Sequence, residues 1–195
     1  MAKATGPSAP WNEIGLSEDP AVELLERFGY THVSAEDLDR ERASLLDVVL
    51  TTRLEAALKR LNPWLNDGNL QRAIREVTHV PAASLLDANE KLYTTLTRGI
   101  SVTQDLGHGS RGQQVRYFDF VAPRHNDLVV TRQLRIKGAK KHIIPDLVLY
   151  VNGVPLAVIE CKSPTIGEKW EHEAIDQLLR YQELVEKYRD LGAPR

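Results

Sequence analysis

The sequence predicts an α/β domain in which a central mixed sheet is flanked by helices, behind a helical N-terminal half. Two observations lead there. Apolar residues recur at helical spacing through the first half of the chain, and from Val102 onward the period shortens toward two. A last helical stretch follows the strands. Helices, then strands, then a helix fit an α+β or a three-layer α/β/α arrangement with the sheet at its centre.

Residues 1–16 are rich in Ala, Pro, Gly and Ser and read as a flexible leader, which leaves 17–195 as the domain. Ser17 offers an N-cap, Pro20 suits the first turn, and Glu18 and Asp19 sit at the positive end of the helix dipole. Val22, Leu24, Leu25 and Phe28 form the apolar stripe, and Gly29 ends the helix. A long helix is expected over 38–61, closed by Asn62-Pro63, with shorter ones over 69–78 and 83–97. Strands are expected over 114–121, 128–136, 145–151 and 154–162, and a final helix over 171–188.

The 195 residues, 42% hydrophobic, are enough for one core. A net charge of -2 excludes a protein that is basic all over, so any nucleic-acid contact must come from a local patch or from partners. The single cysteine, Cys161, rules out an internal disulfide and fits a reducing compartment. There is no apolar run long enough to span a membrane and no signal-peptide core, so a soluble, cytoplasmic protein is expected.

The chemistry concentrates in Pro145-Asp146, thirteen intervening residues, then Glu160-Cys161-Lys162. Asp146 opens the apolar strand Leu147 to Val151, Asn152-Gly153 is a hairpin signal, and Leu156 to Ile159 is a second apolar strand ending in Glu-x-Lys. Both strands read as buried on both faces. Ionisable groups at the ends of such strands are costly unless something pairs them. Glu160 and Lys162 share a face and Cys161 points away. A two-residue Asn-Gly loop would put Asp146 and Glu160 on opposite faces. A three-residue turn, Val151-Asn152-Gly153, would bring them together, so that turn is the expectation. Two converging carboxylates call for a cation, and hard oxygen ligands suit Mg²⁺, which also takes phosphate oxygens. Lys162 would orient the attacking water or balance developing charge. Gln177 and Tyr181, four apart on one face of the last helix, could hold a DNA strand or the metal shell.

Each of these groups has a purely structural alternative. Asp146, Glu160 and Lys162 could form a structural ion-pair network, and Gln177 with Tyr181 an ordinary half-buried polar face. Arg132, Arg135, Lys137, Lys140 and Lys141 form a run without an acid among them. Such a run is either a solvated strand edge or a phosphate contact.

The residues quoted so far resemble the N-terminal region of the restriction (R) subunit of type I restriction enzymes, which carries a PD-(D/E)xK nuclease of the RecB-like group with a restriction-endonuclease-like fold. The resemblance runs from about Glu18 to the end. It rests on Leu25-Glu26-Arg27-Phe28-Gly29-Tyr30, Ala56 through Pro63, Pro145-Asp146, Val151-Asn152-Gly153-Val154-Pro155-Leu156, Glu160-Cys161-Lys162-Ser163-Pro164, and Gln177 through Tyr181, which is similar to the family's Q-x-x-x-Y motif. The resemblance implies Mg²⁺-dependent cleavage of double-stranded DNA. Asp146 and Glu160 would be metal ligands and Lys162 the catalytic lysine. Glu18 aligns with the family's helix glutamate, with Glu23 as its rival. It also implies a fragment of a longer chain whose ATP-driven translocase is missing, since no G-x-x-x-x-G-K-[S/T] loop occurs here. Modification and specificity subunits would be its partners. The competing functions are a non-catalytic docking module of such a complex and a RecB-like nuclease of DNA repair.

Overall fold

A computed structural model of the chain describes residues 14–137, 142–162 and 170–183. A π-helical turn, Ile14–Glu18, runs directly into helix α1 (Asp19–Arg27), with Pro20 in the first turn as expected. Glu18, not Ser17, occupies the N-cap position, and it does so in helical conformation. The Ser17 hydroxyl instead donates to the Lys162 carbonyl at 2.7 Å. Gly29 ends the helix with φ +100°, a conformation that favours glycine.

The long helix expected over 38–61 is two: α2 (Ala35–Glu41), capped by Ser34 accepting from the Asp37 N–H at 3.1 Å, and α3 (Thr51–Leu61). The break has a packing cause. Leu38 and Leu50 are both fully buried in one cluster with Val129, Val148 and Tyr150. In a continuous helix these two leucines would lie about 18 Å apart along the axis. The guanidinium of Arg42 holds the break, bonding Asp39, the Asp47 carbonyl and the Arg135 carbonyl. Helices α4 (Asp67–Thr78) and α5 (Leu85–Arg98) follow, capped by Asn66 and Ser84.

After the two-residue β1 (Thr31–His32), the next strands, β2 (Ile100–Asp105) and β3 (Ser110–Val115), form a separate antiparallel hairpin. The strand expected over 114–121 therefore lies too late in the chain. Residues 116–121 leave the hairpin and seat Tyr117 and Phe118 in the core that α3, α4 and α5 share with β2 and β3. The strand expected over 128–136 stops early, as β4 (Leu128–Arg132), because Gln133 adopts φ +52°. A short pair, β5 (Ile136–Lys137) with β6 (His142–Ile143), precedes β7 (Leu147–Val151) and β8 (Val154–Ile159). Helix α6 spans Trp170–Glu183, and the rest of the expected final helix lies outside the described residues.

The central sheet has the order β1-β4-β7-β8, with β1 parallel to β4 and the other pairs antiparallel. It is the mixed sheet expected. Alternation along β4 and β7 sends Val130, Leu147 and Leu149 to one face, where Val22 of α1 covers them, and Val129, Val148 and Tyr150 to the other, under Leu38 of α2. Helices thus cover both faces of this sheet, which makes it an α/β fold. β7 is buried on both faces as expected. The edge strand β8 is not: Leu156 is 50% and Val158 42% exposed. Among the described residues no helix is long and apolar enough to cross a membrane.

Candidate active site

The β7–β8 hairpin decides which side chains meet. Its turn is the two-residue one, with Val151 opposite Val154 and Asn152 and Gly153 at φ +52° and +79°. This corrects the three-residue turn expected from sequence. The reason is docking of the turn onto α3. A Cβ on Gly153 would lie 2.4 Å from the Leu50 carbonyl oxygen, and the Gly153 carbonyl accepts from the Leu50 N–H at 2.8 Å. Asn152 is fully buried. Its Nδ2 donates to the Tyr117 carbonyl at 2.8 Å and to Asn126 Oδ1 at 2.9 Å. Its Oδ1 accepts from the Asp127 N–H at 2.8 Å and from Arg60 at 3.1 Å.

Convergence comes from a bulge instead. Tyr150 pairs with Pro155, but Leu149 pairs with Ala157, so Leu156 is an extra residue in β8. A proline is tolerated there because β8 is an edge strand at its bulge. Beyond the bulge Val148 faces Val158 and Leu147 faces Ile159. One more step on each strand sets Asp146 across from Glu160. Were Leu156 instead paired with Leu149 in regular register, Asp146 would face Ile159 and Glu160 would turn to the other side.

Asp146 is fixed from three directions. Its Oδ2 accepts from the Cys161 backbone N–H at 2.8 Å, its Oδ1 from Gln133 Nε2 at 3.3 Å, and its carbonyl from the Gln133 N–H at 3.0 Å. Gln133 Nε2 also donates to Glu18 Oε1 at 3.2 Å. The structure therefore brings Glu18 beside Asp146, while Glu23 is exposed on α1. Glu18 is only 4% exposed, although it is an acid. Two ties hold its turn in place: Ser17 on the Lys162 carbonyl, and Arg132 on Asp19 at 2.5 Å. The carboxylate oxygens of Glu160 are buried. Lys162 Nζ donates to Gln177 Oε1 at 2.9 Å, which joins the end of β8 to α6. Tyr181 lies one turn further along the same helix. The Cys161 thiol points away, buried with Val22, Val130 and Leu147, as the strand alternation requires.

The basic run does not act as one patch. Arg132 is engaged by Asp19, whereas Arg135 and Lys137 are exposed and Lys140 and Lys141 lie outside the described residues. Sequence reasoning missed Gln133, the Cys161 amide and the Ser17 tie. Nothing in a pattern of apolar periodicity marks a glutamine that leaves its strand in a left-handed conformation.

Among the described residues no group of three or more His, Cys, Asp or Glu side chains is arranged to hold a metal ion. What the site offers is Asp146 and Glu160, each one residue beyond the last pair of β7 and β8, with Asp146 joined to Glu18 through one carboxamide. All are hard oxygen donors. Mg²⁺ takes one or two carboxylates and completes its shell with waters and phosphate oxygens, so this donor set fits it.

A mixed α/β sheet with an Asp, a Glu-x-Lys pair and a helix-borne Gln at one end has the form of a restriction-endonuclease-like domain. The family comparison is specific: the model for the N terminus of type I restriction enzyme R proteins matches residues 10–194, and the chain belongs to that family. It is 29% identical over 181 residues to the type I restriction enzyme HindI endonuclease subunit of Haemophilus influenzae, covering 89% of this chain and 16% of that protein. It is 25% identical over 190 residues to the MjaIXP endonuclease subunit of Methanocaldococcus jannaschii, covering 93% of this chain and 18% of that protein. The chain thus spans under a fifth of the length of these relatives.

Proposed function

We propose that this domain is the Mg²⁺-dependent endonuclease of a type I restriction enzyme, hydrolysing phosphodiester bonds of double-stranded DNA. The observation that carries the reading is the bulged register of β7 and β8, which brings Asp146 and Glu160 to the same end of adjacent strands, with Lys162 two residues beyond Glu160. Asp146 and Glu160 would hold the ion, with Glu18 completing the acidic wall. A bound divalent cation supplies charge neutralisation at the phosphate and acidifies a water. The chain's own residues do the positioning. The Cys161 amide engages one oxygen of Asp146 and fixes its carboxylate plane. Lys162, oriented by Gln177, places a cation where the attacking water or the developing phosphate charge would sit. The exposed Arg135 and Lys137 supply phosphate contacts of modest strength. At a net charge of -2, further grip on DNA must come from the rest of the complex, namely modification and specificity subunits and an ATP-driven translocase in the longer chain. Its compartment would be the cytoplasm, where the host's defence acts on incoming DNA.

The test is Mg²⁺ binding by calorimetry on the wild-type chain and on Asp146→Ala, with plasmid nicking in parallel. Binding that is lost in the variant supports the nuclease. No binding by the wild type, even with DNA present, would favour a docking module that keeps the fold without the chemistry.

A further inference from the structure

Gln133 does three things at once. It leaves β4 in the left-handed region at φ +52°, where a non-glycine residue is strained. Its backbone N–H donates to the Asp146 carbonyl at 3.0 Å. Its side-chain Nε2 donates to both Glu18 Oε1, at 3.2 Å, and Asp146 Oδ1, at 3.3 Å. The strained conformation is enforced from either side: Arg132 is tied to Asp19, and Leu134 is fully buried. The consequence is a carboxamide whose two N–H groups span two acids.

Asp146 Oδ2 is engaged by the Cys161 amide, so Oδ1 is the oxygen of that carboxylate on which Gln133 sits. A carboxamide nitrogen has donors and no lone pair to offer a metal. Its two N–H groups satisfy the same oxygens that a cation would use.

We propose that Gln133 gates the metal site: its carboxamide bridges Glu18 and Asp146 in place of a divalent cation, and binding of the cation requires that bridge to open. This rests on the nuclease reading of the site. Gln133 is a positioning residue on this account, since it acts through the ligands. The bridge lowers the repulsion between two neighbouring acids without a metal and makes the site respond to ion concentration.

The experiment compares wild type, Gln133→Ala, Gln133→Asn and Asp146→Asn, with Mg²⁺ and then Ca²⁺ as the probe, by calorimetry and by thermal unfolding in EDTA and in excess Mg²⁺. Asparagine tolerates the left-handed backbone but is one methylene too short to bridge, so it separates reach from strain. Both Gln133 variants should bind the ion at least threefold tighter than wild type. Gln133→Ala should unfold at a lower temperature than wild type in EDTA, and excess Mg²⁺ should close that gap. If wild type binds Mg²⁺ through Asp146 but the Gln133 variants bind it equally or more weakly, the gate is wrong and the nuclease reading survives. If no variant binds either ion, both fall together.

Discussion

Lys162 and Gln177 meet across 2.9 Å, Nζ to Oε1, and this one hydrogen bond links the Glu-x-Lys strand end to helix α6. A lysine ammonium on a four-carbon stem has many rotamers, so on the proposed nuclease reading any use of Lys162 in catalysis depends on something that fixes its tip. Gln177→Ala should leave DNA binding intact and lower cleavage by the full restriction complex about 10- to 100-fold, the scale expected when a catalytic group is misplaced by an ångström. Lys162→Ala should remove cleavage altogether. Single-turnover cleavage at saturating enzyme is the measurement. A Gln177→Ala rate equal to wild type would mean that Lys162 is oriented by other groups.

The Asn152-Gly153 turn, prominent in the sequence, serves the fold and not the chemistry. The Asn152 side chain satisfies partners from three separate stretches: the Tyr117 carbonyl, Asn126 with Asp127, and Arg60. Replacing it with alanine strands buried polar groups and leaves a non-glycine residue at positive φ. Asn152→Ala should therefore cost about 3 kcal/mol or more. Asn152→Gly should cost roughly 1 kcal/mol less, because it removes only the side-chain bonds. Urea unfolding of the two variants checks the order. Equal losses would mean the left-handed backbone carries no part of the cost.

What the sequence disclosed was whatever local chemistry decides. Pro20 sits in the first turn of its helix, Gly29 ends that helix, and Asp146 meets the Glu-x-Lys strand end, where Lys162 reaches Gln177. What it concealed was set by distant partners. The helix break near Arg42 depends on the Arg135 carbonyl, 93 residues away in sequence. The parity of the hairpin is set by a bulge at Leu156 and not by a three-residue turn. The need for Asp146 and Glu160 to share a side was legible, but an extra residue can be placed at the turn or along the strand. Docking of Gly153 against Leu50 rules out the turn, and that contact cannot be read from the hairpin alone.

The register yields a prediction about deletion. Leu156 has no partner of its own in β7 and is 50% exposed. Removing it leaves Tyr150 opposite Pro155, Leu149 opposite Ala157, and hence Asp146 opposite Glu160 as before. Deletion of Leu156 should keep Mg²⁺ binding within about threefold of wild type and cost on the order of 1 kcal/mol, as for a change at an exposed edge. Calorimetry with thermal unfolding would decide it. Loss of Mg²⁺ binding in a stably folded variant would show that the local twist of the bulge, and not only its residue count, aims the carboxylates.

Two buried tyrosines separate hydroxyls that matter to the fold from one that does not. Tyr117 donates to the Ala73 carbonyl at 2.8 Å. The Tyr150 hydroxyl is buried without a hydrogen-bond partner among the described residues. Burial pushes the Tyr150 phenol up from its usual 10.0 to about 12, and pushes Tyr117 up as well. A phenol whose folded pKa is raised contributes stability that is complete below the unfolded value. That stability is lost as pH rises toward the folded value, because only the unfolded chain releases the proton. At pH 7, Tyr150→Phe should be neutral or slightly stabilising, since it removes an unsatisfied polar group, while Tyr117→Phe should cost about 1 kcal/mol. Above pH 10 the wild type should lose stability with a slope that Tyr150→Phe reduces, by an amount on the order of 2 kcal/mol across the window up to pH 12. Urea unfolding at pH 7, 10 and 11 measures both effects. A Tyr150→Phe protein that is more than about 1 kcal/mol weaker at pH 7 would mean the hydroxyl is bonded in solution, for example to a buried water. An unchanged alkaline slope would assign the pH dependence to other groups, among them Tyr117 and Tyr30, whose phenols burial also raises.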